Sequence, residues 1–117
     1  MSQPLISVVG PCGAGKTTLV SGLRARGINS RQTSQEHSYV RDMWRRLAQP
    51  DLLVYLDARL ETIRGRLNDP NWPAWLREQQ VERLRHARLH CDLYIETDGL
   101  TPEEVLARVL AALAGWG

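Results

Sequence analysis

The sequence predicts an α/β fold, a three-layer α/β/α sandwich on a small parallel sheet of about four strands. Three observations predict it. Short apolar runs alternate with longer stretches of helical periodicity along the whole chain. Helices lying between strands imply right-handed crossovers, and so a parallel sheet covered on both faces. No internal repeat, low-complexity segment or linker interrupts the series. The length of 117 residues suits one core and is too short for two, so residues 1–117 read as a single domain.

Leu5-Ile6-Ser7-Val8-Val9 reads as a buried strand, followed at once by a glycine-rich segment. From Lys16 to about Arg26 the pattern is helical, with Leu19 and Leu23 on one face and Gly27 as a stop. Residues 28–35 are largely polar and suit a strand at a sheet edge. Val40, Met43, Trp44 and Leu47 carry the spacing of an amphipathic helix that Gln49-Pro50 ends. Leu52-Leu53-Val54-Tyr55-Leu56 is the clearest central strand and closes on Asp57. Leu60, Ile63 and Leu67 mark a helix that stops at 68–71, and Pro73 opens another running to about His90. Residues 92–96 form a short alternating strand. Thr101-Pro102-Glu103-Glu104 supplies an N-cap, a proline at the first helical position and a glutamate two residues further on. Val105, Leu106, Val109, Leu110 and Leu113 follow on one face.

Composition narrows the class. Hydrophobic residues at 43% and charged residues at 24% are ordinary for a soluble globular domain. No apolar run approaches the ~18 residues of a membrane span. Met1-Ser2-Gln3-Pro4 lacks the basic flank and apolar stretch of a secretory signal, so the expected location is the cytoplasm. Cys12 and Cys91 are too few for a disulfide framework and read as free thiols. A net charge of +2 is too small to point to nucleic acid by itself. It is unevenly spread: residues 1–50 carry seven basic and two acidic side chains, residues 51–117 eight and eleven. Lys16 is the only lysine.

Gly10-Pro11-Cys12-Gly13-Ala14-Gly15-Lys16-Thr17 matches the phosphate-loop pattern G-x-x-x-x-G-K-[ST] without a gap. Its glycines let the chain curl and let backbone N–H groups face an anion without a Cβ in the way. The helix that begins near Lys16 points its unpaired N–H groups and positive dipole end at the same place. Gly10, Pro11, Cys12, Gly13, Ala14, Gly15, Lys16, Thr17 and Thr18 are therefore the expected cradle for the phosphates of ATP or another nucleoside triphosphate. Lys16 supplies a charge to the outer phosphates and Thr17 a hydroxyl to Mg²⁺.

Three segments give the chain a family likeness: the loop at 10–17, residues 51–66 (DLLVYLDARLETIRGR) and residues 91–104 (CDLYIETDGLTPEE). With these it resembles the P-loop small-molecule kinases, the nucleoside, nucleotide and shikimate kinases. The resemblance covers most of the chain, and the loop is its most specific part. It implies a P-loop NTPase type of sheet, with Arg64 and Arg66 as charge clamps on the transferring phosphate, and Arg59 and Arg83 as further candidates. Guanidinium suits that work because it is always charged and bonds phosphate oxygens in pairs. It further implies that Thr97 and Asp98 border the base and that Glu36, after the second strand, is the general base toward an acceptor hydroxyl. Asp57 follows an apolar strand as a metal-binding acid would, and joins Thr17 as a candidate Mg²⁺ ligand; its plainer role is a helix N-cap.

The chain departs from that family in one respect. Such kinases place two helices and another strand between the second strand and the arginine-bearing segment. Only about fifteen residues separate Glu36 from Asp51, enough for one helix. The strand with the second acidic motif is therefore expected to be missing, with much of the acceptor wall. The leading expectation is an ATP-dependent phosphotransferase with an unspecified small-molecule acceptor. The alternatives are a nucleotide-binding or regulatory module and a slow ATPase, and an oligomer is compatible with any of the three.

Other signals read more plainly. His86 and His90 have metal-ligand spacing, with Cys91 beside them, but no fourth ligand. Trp44 fits core packing, and Trp72 and Trp75 flank Pro73 at a turn that could border a cleft; Trp116 completes the four tryptophans. Arg41, Arg45 and Arg46 form a basic cluster that reads as an exposed face or as a contact for an anionic acceptor or RNA.

Overall fold

Four parallel strands in the order β2-β1-β3-β4 form the sheet of the computed structural model, which describes residues 4–115. Along the chain the elements are β1 (Ile6–Val9), α1 (Lys16–Ala25), β2 (Ser30–Gln32), a 3-10 turn (Gln35–His37), α2 (Met43–Ala48) and β3 (Leu52–Asp57). They continue with α3 (Leu60–Arg66), α4 (Ala74–Arg83), α5 (Arg85–His90), β4 (Leu93–Glu96) and α6 (Pro102–Ala114). β1 pairs directly with both β2 and β3 (Ile6 opposite Ser30 and Leu52), so no strand lies between the first two. The polar second strand is a three-residue edge strand, as its composition requires.

Side-chain alternation divides the core between the two faces of the sheet. Ile6, Val8, Val54, Leu56 and Ile95 meet Leu19, Val20 and Leu23 of α1 and Val105 and Val109 of α6. Val9, Leu53 and Tyr55 meet Trp44 of α2 and Leu84 and Ala87 at the opposite side. Each face is closed by helices, which makes three layers. A fully buried aliphatic side chain such as Leu23 contributes on the order of 2–3 kcal/mol through this burial. Among the described residues no helix is long and apolar enough to cross a membrane.

Two helices differ from the pattern read in the sequence. The amphipathic stretch from Val40 forms a helix only from Met43, and Val40 and Leu47 are 48% and 57% exposed, so Trp44 alone enters the core. Residues 38–40 are held out of the helix by local bonds: Ser38 Oγ accepts from the Val40 N–H (3.0 Å), and Gln35 Nε2 donates to the Val40 carbonyl (2.7 Å). The single helix expected from 73 to 90 is two. Buried Leu84 stands between them at φ −92° and ψ −3°, and the Arg83 carbonyl accepts from Gln35 Nε2 at 3.4 Å. The bend lets α4 lie on the 3-10 turn while α5 covers β3. Trp116 and Met1–Gln3 lie outside the described residues.

The capping box at α6 forms as its residues dictate. Thr101 Oγ1 accepts from the Glu104 N–H and Glu104 Oε1 accepts from the Thr101 N–H, both at 3.1 Å. Thr101→Ala should cost about 1 kcal/mol, read as a lower denaturant midpoint at unchanged slope.

Candidate functional site

Parallel strands place all their C-terminal ends along one edge, and the loop of residues 10–17 leaves β1 there. Gly10 is required by close approach, since a Cβ at that position would stand 2.1 Å from the Leu56 carbonyl oxygen. Gly15 caps α1 at φ +102°, in the left-handed region, and turns the chain into the helix at Lys16. The cavity beside the loop is about 580 Å³, in the range of small-ligand sites. Residues 12–18 line it, with Gln32, Glu36, Arg66, Thr97 and Leu100 among the rest of its wall. Gly10 and Pro11 are buried beneath that wall, and their carbonyls turn toward Lys16.

Lys16 is only 8% exposed. Its ammonium donates to the Gly10 carbonyl (2.6 Å), the Pro11 carbonyl (3.2 Å) and Glu36 Oε2 (2.6 Å), so its three donors are satisfied. Glu36 is 3% exposed and sits on the 3-10 turn beyond β2. That turn is tied down from several sides. Gln35, wholly buried, accepts from the Trp44 N–H, and Arg83 Nη1 donates to the Glu36 carbonyl at 3.3 Å. The second carboxylate oxygen, Glu36 Oε1, is buried with no partner among the described residues.

The two arginines of α3 part company. Arg66 reaches the cavity, where Nη1 donates to Thr97 Oγ1 (2.8 Å) and the Gly13 carbonyl (3.0 Å) and Nη2 donates to the Thr97 carbonyl (2.8 Å). Arg64 turns away, and its Nε donates to the Trp72 carbonyl at 2.9 Å. Arg59 pairs loosely with Asp98 at 3.6 Å, and Arg83 lies over the Tyr39 ring at 4.5 Å; neither lines the cavity. Thr97 is buried in the cavity wall, whereas Asp98 braces α3 from the far side. Burial raises the Asp98 pKa, but the Thr62 hydroxyl (2.6 Å), the Arg59 N–H (2.9 Å) and the Arg59 charge outweigh it and leave the carboxyl below its usual value.

Asp57 and Thr17 are not brought together. Asp57 shares a strand face with Tyr55, so its carboxylate turns to the other side of the sheet. There Oδ2 accepts from the Tyr94 hydroxyl (2.7 Å), and Oδ1 accepts from Arg77 Nη2 (3.2 Å) and the Ala58 N–H. Burial, followed by the bond and charge of Asp57, pushes the Tyr94 phenol up to about 12. Asp57 does not line the cavity, and the N-cap position of α3 belongs to Arg59. Thr17 Oγ1 accepts from Gln32 Nε2 at 3.0 Å instead. The sequence pointed to none of Gln32, Gln80 or Arg77. Gln80, 1% exposed, accepts the Cys12 N–H from 68 residues away, and no local pattern marks such a residue.

The discounted signals stay outside the cavity. His86 accepts from Trp44 Nε1 and stacks on His90 with centroids 4.2 Å apart. Arg45 and Arg46 pair with Asp42, and neither Trp72 nor Trp75 reaches the cavity wall.

Two expectations follow from this geometry. Lys16→Met should strand the Glu36 carboxylate and cost on the order of 3 kcal/mol, and adding Glu36→Leu should return most of it; thermal unfolding of both variants measures this. Because the Asp98 carboxyl titrates below its usual value, its contribution is complete above the unfolded-state value and is lost as pH falls through the folded one. The stability gap between wild type and Asp98→Asn should therefore shrink as pH falls below about 4, the unfolded-state value.

No family model matches the sequence, and no curated protein does. A solved structure does match. The unliganded sugar kinase of Janibacter sp. HTCC2649 superposes with a TM-score of 0.71 over 97% of this chain and 95% of its own, at 19% identity. A likeness at that identity is one of architecture, and what it establishes is a kinase-like α/β fold.

Proposed function

We propose that the protein is a small P-loop phosphotransferase, which takes Mg²⁺-ATP or another nucleoside triphosphate as donor and a small hydroxyl-bearing molecule as acceptor. One observation carries this reading: the chain's only lysine, at the head of α1, shares a single cavity with the Glu36 carboxylate and the Arg66 guanidinium. The N–H groups of the loop and of the first turn of α1 would hold the β- and γ-phosphates. Lys16 would exchange its bonds to loop carbonyls and Glu36 for phosphate oxygens, which releases the carboxylate next to the transferring group. Glu36 would then take the proton of the acceptor hydroxyl as the new O–P bond forms and the bond to the β-phosphate oxygen breaks. Arg66, with its fork of donors, would neutralise charge on the moving phosphoryl.

Magnesium belongs to this scheme as part of the donor, and the Thr17 hydroxyl would be its side-chain ligand. Asp57 has no part in it, being committed to Arg77 and Tyr94. Arg64 has none either. The acceptor is a small molecule of unassigned identity, and the likeness to a sugar kinase makes polyhydroxy compounds the first to try.

A second reading is favoured by the acid count. Among the described residues Glu36 is the only acid lining the cavity, and it is paired with Lys16. A module that binds nucleotide with little turnover, or hydrolyses it slowly, fits that poverty of carboxylates.

Unfolding experiments with Mg²⁺-ATP address binding first. Nucleotide at a hundredfold its dissociation constant should stabilise the protein by about 2.7 kcal/mol. Asp57→Asn should keep that gain, and Arg66→Ala should reduce it. ADP release stimulated by one member of an acceptor panel, and lowered ~100-fold or more by Glu36→Gln, is the outcome expected of a kinase. Phosphate release without acceptor would select the ATPase, and absence of any stabilisation would end the proposal.

A further inference from the structure

We infer that Cys12, Glu36 and His37 form a zinc site at the mouth of the cavity, a role that stands whether or not the loop takes a triphosphate. Their ligand atoms lie within 4.8 Å of one another. Cys12 Sγ is 3.7 Å from His37 Nε2, which is 3.9 Å from Glu36 Oε2. In a tetrahedral zinc site, bond lengths near 2.3 Å to sulfur and 2.0–2.1 Å to nitrogen place those two ligands roughly 3.6 Å apart. Oxygen and nitrogen ligands stand about 3.4 Å apart in the same geometry. A small torsional adjustment of the exposed His37 side chain spans the difference.

Three features beyond proximity favour an ion there. The first is the donor set: thiolate with imidazole selects zinc over magnesium or calcium. The second is Gln80. Its Oε1 must be the atom facing the Cys12 N–H, which can only donate, so its Nε2 is the group that faces Cys12 Sγ, at 3.3 Å. A buried amide N–H aimed at sulfur fixes its direction, as outer partners of metal ligands do. The third is the Glu36 carboxylate: Oε2, the oxygen 3.9 Å from His37 Nε2, serves Lys16, and Oε1 is buried with no partner among the described residues, so the group has acceptor capacity for an ion beside the ammonium. The His37 side chain is 57% exposed, which leaves an open path for the ion.

Binding releases the Cys12 thiol proton to solvent, and three protein ligands leave the fourth position to water or to an anion in the cavity. Positive charge is thereby added beside Lys16, in a place where Glu36 and the thiolate offset most of it.

Calorimetry and cobalt spectroscopy on the full, chelator-treated chain test the assignment without nucleotide. One equivalent of Zn²⁺ should bind, and Co²⁺ should give the intense visible bands of a tetrahedral site with a thiolate charge-transfer band. That band should persist in Cys91→Ser and vanish in Cys12→Ser. Zinc affinity should fall at least ~10-fold in Cys12→Ser and in His37→Ala. Should Cys12→Ser fail to fold, His37→Ala decides the matter by itself, because its side chain carries little of the packing. No stoichiometric uptake, a charge-transfer band that follows Cys91, or unchanged affinity in His37→Ala would each overturn the site.

Discussion

An ammonium group that water barely reaches must find acceptors in the protein, and the way Lys16 does so sets the arrangement around it. Two of its acceptors are carbonyls of its own loop, which holds the curl of residues 10–16 in place. The third is Glu36, which ties the loop to the turn beyond β2. Breaking such a pair by losing one member leaves a buried charge uncompensated, so each residue requires the other. The turn is in turn anchored by Gln35 and Arg83, and these connect it to α2 and to the junction of α4 and α5. The Lys16–Glu36 contact thus links the loop after β1, by way of this turn, to the helices on one face.

The strand order makes this contact possible. With no strand inserted, β1 and β2 are neighbours in direct register, Val8 opposite Gln32. Residues a few positions past Gln32 then emerge next to the loop that leaves β1. Glu36 lands beside Lys16, and Gln32 beside Thr17. An inserted strand would move both roughly one strand spacing, about 5 Å, further away. Direct pairing of β1 with β2 is therefore what puts an acid in contact with the lysine.

Much of this architecture was legible from the chain alone. Periodicity and turn residues gave the order of strands and helices, and Thr101, Pro102 and Glu104 marked the start of α6 because a capping box is a purely local device. The glycine-rich loop was legible for the same reason. The late start of α2 and the break at Leu84 were not, since at both places Gln35 bonds a carbonyl outside its own turn, that of Val40 and that of Arg83. At the site, the spacing of Arg64 and Arg66 could not say which of them turns inward. That is settled by the Thr97 carbonyl and hydroxyl, which take Arg66, and by the Trp72 carbonyl, which takes Arg64. Asp57 was misplaced because a strand terminus fixes an acid's height in the sheet, while its face follows from alternation along β3, which puts it on the side of Tyr55 and within reach of the Tyr94 hydroxyl.

The division of labour between lysine and arginine follows from the same chemistry. All but one of the 15 basic side chains are arginines, and several serve as braces to backbone oxygen. Arg24 bonds the Ser30 carbonyl, Arg64 that of Trp72, Arg77 that of Ala58 and Arg83 that of Glu36. A guanidinium presents planar, fixed donors and loses little on being held, so it suits permanent contacts. An ammonium on a flexible stem is a compact charge that can trade one set of oxygens for another at small geometric cost. The one place where partners would have to be exchanged, at the head of α1, is the one place with a lysine. Replacing Lys16 by arginine would keep the charge but demand a planar fork in a pocket built from three converging oxygens, two of them on main-chain carbonyls that cannot move without opening the loop.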